Sequence, residues 1–221
     1  PYSGDIDGDN KEETISTSTD AQGLTVLNVE SSGSTAEAAT GIKEVSSIRL
    51  FDLDGDGVRE IYIDGKAANG QAITCAAFYS AGEAQPLHLA LFDSQSYAHG
   101  SIKDFADGKL VVDSEMNILG TYKVKNVYAL ADKSFSKASD DIVFDNNMTY
   151  VTTLKSITLS NGSLLATGTK LRFTSTDGIS VINFVTDGGF TGSIPIASSG
   201  SGWTISGQPD TSYFTSLPYK N

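Results

Sequence analysis

Two copies of one acidic loop, each running directly into a β-branched stretch, constrain the fold of this chain more than any other feature. GDIDGDNKEETIST starts at Gly4 and FDLDGDGVREIYID at Phe51. Their leading aspartates, Asp5 and Asp52, lie 47 residues apart, and at that offset Glu13 aligns with Glu60, Gly23 with Gly70, and TVLNV (25–29) with AITCA (72–76). The correspondence covers a loop, a strand, a turn and a second strand. A supersecondary unit recurring at such a period must stack on its neighbours to bury its apolar face, as propeller blades and related β arrays do. At the next interval, near residue 99, the acidic loop is missing, and SIKDFADGKLVVDSE (101–115) is read as a degenerate third unit.

The rest of the chain agrees with an all-β fold. LTVLNV (24–29), REIYI (59–63), AITCAAFY (72–79), KLVVD (109–113), TYKVKNVYAL (121–130), KLRFTST (170–176) and ISVINFV (179–185) are short and rich in β-branched and aromatic residues, and clusters of Gly, Asp, Asn and Ser separate them. The single stretch with helical character is STAEAATGIKEV (34–45), whose alanines and glutamates predict a short helix.

Charge divides the chain unevenly. Residues 151–221 hold three aspartates (Asp177, Asp187, Asp210) against four basic side chains (Lys155, Lys170, Arg172, Lys220), a balance of +1. Of the 27 acidic and 15 basic residues in the whole chain, 24 and 11 therefore fall before residue 151, a balance of −13. We expect a domain boundary there, with an acidic β-repeat domain over 1–150 and a small β domain over 151–221. The net charge of −12, with no run of lysine and arginine, makes nucleic acid and anionic membrane surfaces poor partners. No apolar run approaches the roughly 20 residues that span a bilayer, so no membrane insertion is expected. The chain opens PYSGDIDGD without an initiator methionine or the charged and apolar regions of a signal peptide, as a trimmed fragment or mature product would.

Carboxylates at loop positions 1, 3 and 5 converge on one centre when the backbone curls tightly, and glycine or asparagine at position 6 permits the positive φ this needs. Here those residues are Asp5, Asp7, Asp9 and Asn10 in the first copy, and Asp52, Asp54, Asp56 and Gly57 in the second. Position 7 offers a backbone carbonyl, from Lys11 and Val58. Oxygen-only ligation rich in carboxylates selects a hard cation, and Ca²⁺ fits better than Mg²⁺, which keeps its waters. An EF-hand is excluded: position 12 is Ser16 or Ile63 where that motif needs glutamate, and both copies continue into strands. They carry glutamate at position 9 instead, Glu13 and Glu60. Solvated acidic turns holding no ion are the alternative, but four carboxylates so close would repel one another.

DLDGDGVREIYI and DIDGDNKEETI resemble the acidic loops of FG-GAP or VCBS-type repeats, found in integrin-like β-propellers and in many bacterial surface proteins. The resemblance covers about residues 4–30 and 51–77 and implies a calcium-binding, β-propeller-like repeat with an extracellular or cell-surface location. It also implies that positions 1, 3, 5 and 9 ligate Ca²⁺, here Asp5, Asp7, Asp9 and Glu13, and Asp52, Asp54, Asp56 and Glu60. The Phe-Gly and Gly-Ala-Pro signatures of that family are absent. The last third, GTKLRFTSTDGISVINFVTDGGFTGSIPIA (168–197) with the closing SYFTSLPYKN, is similar to the small SH3-like barrels appended to bacterial cell-surface proteins. Trp203, Tyr213, Phe214 and Tyr219 would then either line a peptide or glycan groove or fill the core.

Catalytic constellations are sparse. GxSxG, HExxH, GxxxxGK[ST] and a post-strand GxGxxG are all absent. Cys75, in AITCAAFY, reads as a small core residue, His88 as a strand residue and His99 as a loop residue. The expected function is that of a non-catalytic, calcium-stabilised secreted or cell-surface binding protein recognising a protein or glycan. A glycan-active hydrolase using an acidic pair and a purely structural spacer remain as alternatives.

Overall fold

The computed structural model describes residues 2–145, 150–200 and 202–220. The fold is all-β and built of several sheets; among the described residues there is one short 3₁₀ turn and no closed propeller. Among the described residues no helix is long and apolar enough to cross a membrane.

Two compact units are present: Pro1–Ser114 with Val127–Ala138, and Glu115–Asn126 with Ser139–Asn221. The partition differs from a single cut at residue 150. The chain enters the second unit at Glu115, returns to the first at Val127 and leaves it again at Ser139. Two long strands, Lys109–Asn117 and Thr121–Ala131, each carry residues of both units. Composition places the boundary late because these crossing strands have no charge signature of their own. Residues 146–149, beside the expected boundary, lie outside the described residues.

In the first unit β1 (Tyr2–Gly4), β2 (Glu13–Thr19), β3 (Thr25–Ser31) and β4 (Ser34–Ala39) form one antiparallel sheet in sequence order. A second sheet contains β5 (Glu44–Phe51), β6 (Glu60–Lys66) and β7 (Ala72–Tyr79), with β8 (Leu87–Leu89) added beside β7. Each acidic loop thus joins adjacent strands at equivalent places, β1 to β2 and β5 to β6. Strands β6 and β7 are buried along almost their whole length. Ile61, Ile63, Cys75 and Ala77 face a core shared with Ile15, Leu27 and Val29 of the first sheet. Tyr62, Ala76 and Phe78 face the other way, against Ile102, Leu110, Val112 and Phe135. Burial on both faces is why AITCAAFY and IYI read as continuous apolar runs and not as alternating ones.

The helix predicted over 34–45 does not form. Ser32 and Gly33 take φ of 50° and 79°, the two-residue turn of a tight hairpin, and β4 pairs with β3 from Ser31↔Ser34 to Val26↔Ala39. Ala36 and Ala38 then pack on the core while Thr35 and Glu37 point outward, a period of two. Sheet pairing over six residues outweighs the slight helical preference of alanine and glutamate. The stretch 101–115 forms a hairpin of Ser101–Ala106 and the strand starting at Lys109, turning at Asp107 and Gly108 with φ of 52° and 67°.

Gly65 marks a close approach beside the β5–β6 bulge. A Cβ there would lie 2.4 Å from both the Glu44 carbonyl oxygen and Ile42 Cγ2. Gly65→Ala is expected to cost about 1–3 kcal/mol through overpacking, a loss measurable by urea denaturation.

The second unit packs its strands on a core containing Phe144, Phe173, Phe184, Tyr213 and Phe214. Phe173 lies edge-on to Phe214 with ring centroids 5.6 Å apart. Lys170–Thr176, Val181–Thr186 and Thr191–Pro195 form successive antiparallel pairs. The TDG turn after the first is set by Asp177, whose Oδ1 accepts the N–H groups of Ile179, Ser180 and Val181 at 2.8–2.9 Å.

Candidate metal centre

The two acidic loops share one backbone hydrogen-bond pattern. The oxygens of Asp5 accept the N–H groups of Gly8 and Asn10 at 2.8 and 3.1 Å, and those of Asp52 accept Gly55 and Gly57 at 2.8 and 3.0 Å. Asp7 Oδ1 accepts the Asp9 N–H, and Asp54 Oδ1 the Asp56 N–H, both at 3.3 Å. Asp9 Oδ1 accepts the Lys11 N–H, and Asp56 Oδ1 the Val58 N–H, both at 2.8 Å. Position 6 takes the predicted positive φ, 65° at Asn10 and 91° at Gly57. Loops 47 residues apart curl alike because each leading aspartate gathers the same two amides.

The glutamate at position 9 closes each curl. Glu13 Oε2 accepts the Ile6 N–H at 2.9 Å and Glu60 Oε2 the Leu53 N–H at 2.9 Å, so the strand after the loop holds the second loop residue. Both glutamates are buried. The remaining partners differ. Ser31 donates to Glu13 Oε1 at 3.1 Å, whereas the Tyr62 hydroxyl donates to Glu60 Oε2 at 3.1 Å. Burial pushes the Glu60 carboxyl up to about 7, against the lowering effect of the Leu53 and Tyr62 bonds. A cation at the loop would favour the ionised form.

One carboxylate oxygen from each of Asp5, Asp7 and Glu13 lies within 4.8 Å of the others, and the same holds for Asp52, Asp54 and Asp56. Calcium–oxygen bonds of roughly 2.3–2.6 Å place ligands on opposite sides of the ion about 4.6–5.2 Å apart, so oxygens within 4.8 Å of one another are close enough to share one hard cation. The expected sets of four carboxylates are grouped only in part. Asp9 stands apart from the first cluster: Lys11 Nζ is 2.7 Å from Asp9 Oδ2, and this bond holds the Asp9 carboxyl below its ordinary range and raises the lysine. Glu60 is not among the three grouped oxygens of the second loop, although it borders a cavity with Asp54 and Asp56 and bonds Leu53 and Tyr62.

The ammonium of Lys11 is a built-in competitor that the second loop, with Val58 at the same position, lacks. If the loops take up Ca²⁺, the first should bind it more weakly than the second, and Lys11→Val should raise its affinity a few-fold, since an exposed pair is heavily screened. Calcium titration calorimetry on the wild type and Lys11→Val reads the difference.

Within the first unit the loops lie side by side. The Arg59 N–H donates to the Ile6 carbonyl at 2.8 Å, and Asp7 Oδ2 accepts the Ala81 N–H at 2.9 Å. Asp7 of the first loop and Asp54, Asp56 and Glu60 of the second border one cavity of about 130 Å³, with Phe78 and Lys133 on its wall. Lys133 is paired with Glu83 at 2.7 Å. Sequence reasoning missed Ser31, Tyr62 and the Ala81 amide. The position equivalent to Tyr62 is Ile15, so the repeat carries no sign of that hydroxyl.

The other singled-out residues are placed elsewhere. Cys75 is fully buried, its thiol donating to the Thr40 carbonyl at 3.1 Å and pushed up to about 12 by burial. His88 stacks on Phe78 at 5.7 Å and His99 lies edge-on to Tyr97. The four aromatics of the last third divide: Tyr213 and Phe214 are core, while Trp203 and Tyr219 line a groove with Asp210. Compared with protein-family models, curated proteins and solved structures, the chain matches none.

Proposed function

We propose that the chain is a non-catalytic, calcium-stabilised recognition protein acting outside the cell, with one Ca²⁺ at each acidic loop and a protein or glycan as its target. The observation that carries this reading is the duplicated loop geometry: two separate segments put three carboxylate oxygens within 4.8 Å of one another on the same curled backbone. Asp5, Asp7 and Glu13, with Asp9 once Lys11 releases it, would hold one ion; Asp52, Asp54 and Asp56, with Glu60, would hold the other, each joined by the position-7 carbonyl. The ion would neutralise clustered charge and fix the β1–β2 and β5–β6 connections, and thereby the sheets they join. FG-GAP and VCBS-type loops, which these segments resemble, support the same assignment.

Equilibrium dialysis against ⁴⁵Ca at low micromolar to millimolar free ion should reach two ions per chain. Retention on a glycan array or an immobilised protein panel should be lost when the same sample is chelated. A stoichiometry of zero sinks the metal assignment, and release of shortened oligosaccharides from the array ligands sinks the non-catalytic one.

A further inference from the structure

We propose that the groove between Trp203 and Tyr219 in the second unit is a binding site for a neutral pyranose unit of an oligosaccharide. It deepens the recognition reading above by naming a ligand class and a place for it, and rests on that reading only in taking the chain to be a binder. The groove encloses about 320 Å³, at the lower end of the roughly 300–1,000 Å³ of small-ligand sites, room for one or two sugar rings.

Both rings are held in place by hydrogen bonds. Trp203 Nε1–H donates to the Asn117 carbonyl at 2.8 Å, and the indole packs partly on the core of the unit. The Tyr219 hydroxyl donates to Asp210 Oδ2. Neither side chain needs to be immobilised on binding, which lowers the entropic cost of a ligand lying between them. Tyr219 keeps 41% of its surface exposed, large for a ring whose hydroxyl is anchored in the fold.

The polar groups at the mouth select the ligand. Asp210 is buried, its Oδ1 accepting the Thr211 N–H at 2.7 Å, and it still has free lone pairs as a carboxylate. Ser199 Oγ and Thr204 Oγ1 direct their protons to the carbonyls of Gly202 and Ala197, leaving their oxygens as acceptors. An acceptor-rich mouth with an aromatic platform suits a ligand that presents many hydroxyl donors and an apolar ring face, and a pyranose does both. Among the described residues no lysine or arginine lines the groove, so a phosphate or carboxylate would meet only the charge of Asp210 there. A quaternary ammonium would use the rings but offers no donor to the hydroxyl oxygens.

Trp203 is the single tryptophan of the chain, so its emission reports this groove directly. The full chain, in calcium, is titrated with cellotetraose, xylotetraose, mannotetraose and chitotetraose. A saturable change in emission with at least one of them is expected, with affinity lowered roughly tenfold or more by Tyr219→Ala. Asp210→Asn should weaken the same sugar while keeping the fold, and Trp203→Phe, read by calorimetry, should retain part of the binding that Trp203→Ala loses. Melting curves on each variant separate loss of binding from loss of fold. No saturable response to any of the four sugars at about 10 mM overturns the proposal, as does saturation by tetramethylammonium or a proline-rich decapeptide in their place. Sugar binding without a calcium-dependent melting shift would sink the metal assignment alone, and the converse would sink the groove.

Discussion

The melting temperature should rise with free calcium, and chelation should reverse the rise. An ion that binds the folded loop and not the unfolded chain stabilises by RT ln(1 + [L]/Kd), about 2.7 kcal/mol per site at a hundredfold excess over Kd. For a chain of this size that is roughly 5–10 °C per loop. Magnesium should be a poorer substitute, because it dehydrates reluctantly and demands octahedral geometry. Asp54→Ala should remove the share of the second loop and leave that of the first. Asp7→Ala should do the reverse, with an added cation-independent cost, since Asp7 Oδ2 also accepts the Ala81 N–H. Gly57→Val should weaken the second site without removing a ligand, because φ of 91° is closed to a β-branched side chain. If the loops are merely acidic turns, the wild type will show no calcium-dependent shift, and Asp54→Ala will melt at an equal or higher temperature as repulsion is relieved.

Glu60→Ala should be the most damaging change that touches no core hydrocarbon. It leaves the Leu53 N–H and the Tyr62 hydroxyl without their acceptor in a buried site and opens a cavity, for a loss of about 2–4 kcal/mol even in the absence of calcium. Glu60→Gln retains a carbonyl oxygen for Leu53 and should cost under about 1 kcal/mol in chelator. Its calcium affinity at the second loop should nevertheless fall if Glu60 contributes charge to the ion. Denaturation of the three proteins with chelator and with calcium separates the two roles: equal losses for Ala and Gln in chelator would show that the carbonyl does not act as the latch.

The sequence determined the local elements. AITCAAFY spans β7, TYKVKNVYAL all but the last residue of its strand, and the 47-residue offset predicted that Asp5 and Asp52 begin equivalent loops, because strand propensity and Asp-Gly turn chemistry act over a few residues. Positive φ at Asn10 and Gly57 was legible for the same reason. Tertiary structure decided matters that depend on neighbours distant in sequence. STAEAA (34–39), the first half of the stretch expected to be helical, became strand because β3 was there to pair with it. Tyr213 and Phe214 entered the core while Trp203 and Tyr219 stayed at a groove, since aromatic residues of one composition are sorted only by where the backbone places them. The division into units does not follow charge, because long strands pass from one unit to the other and carry no signal of it. At the acidic loops, the spacing specified the carboxylates, but the latch of Glu13 and Glu60 onto Ile6 and Leu53 follows from burial beneath the curl, and a buried carboxylate takes whichever donors the fold brings within reach.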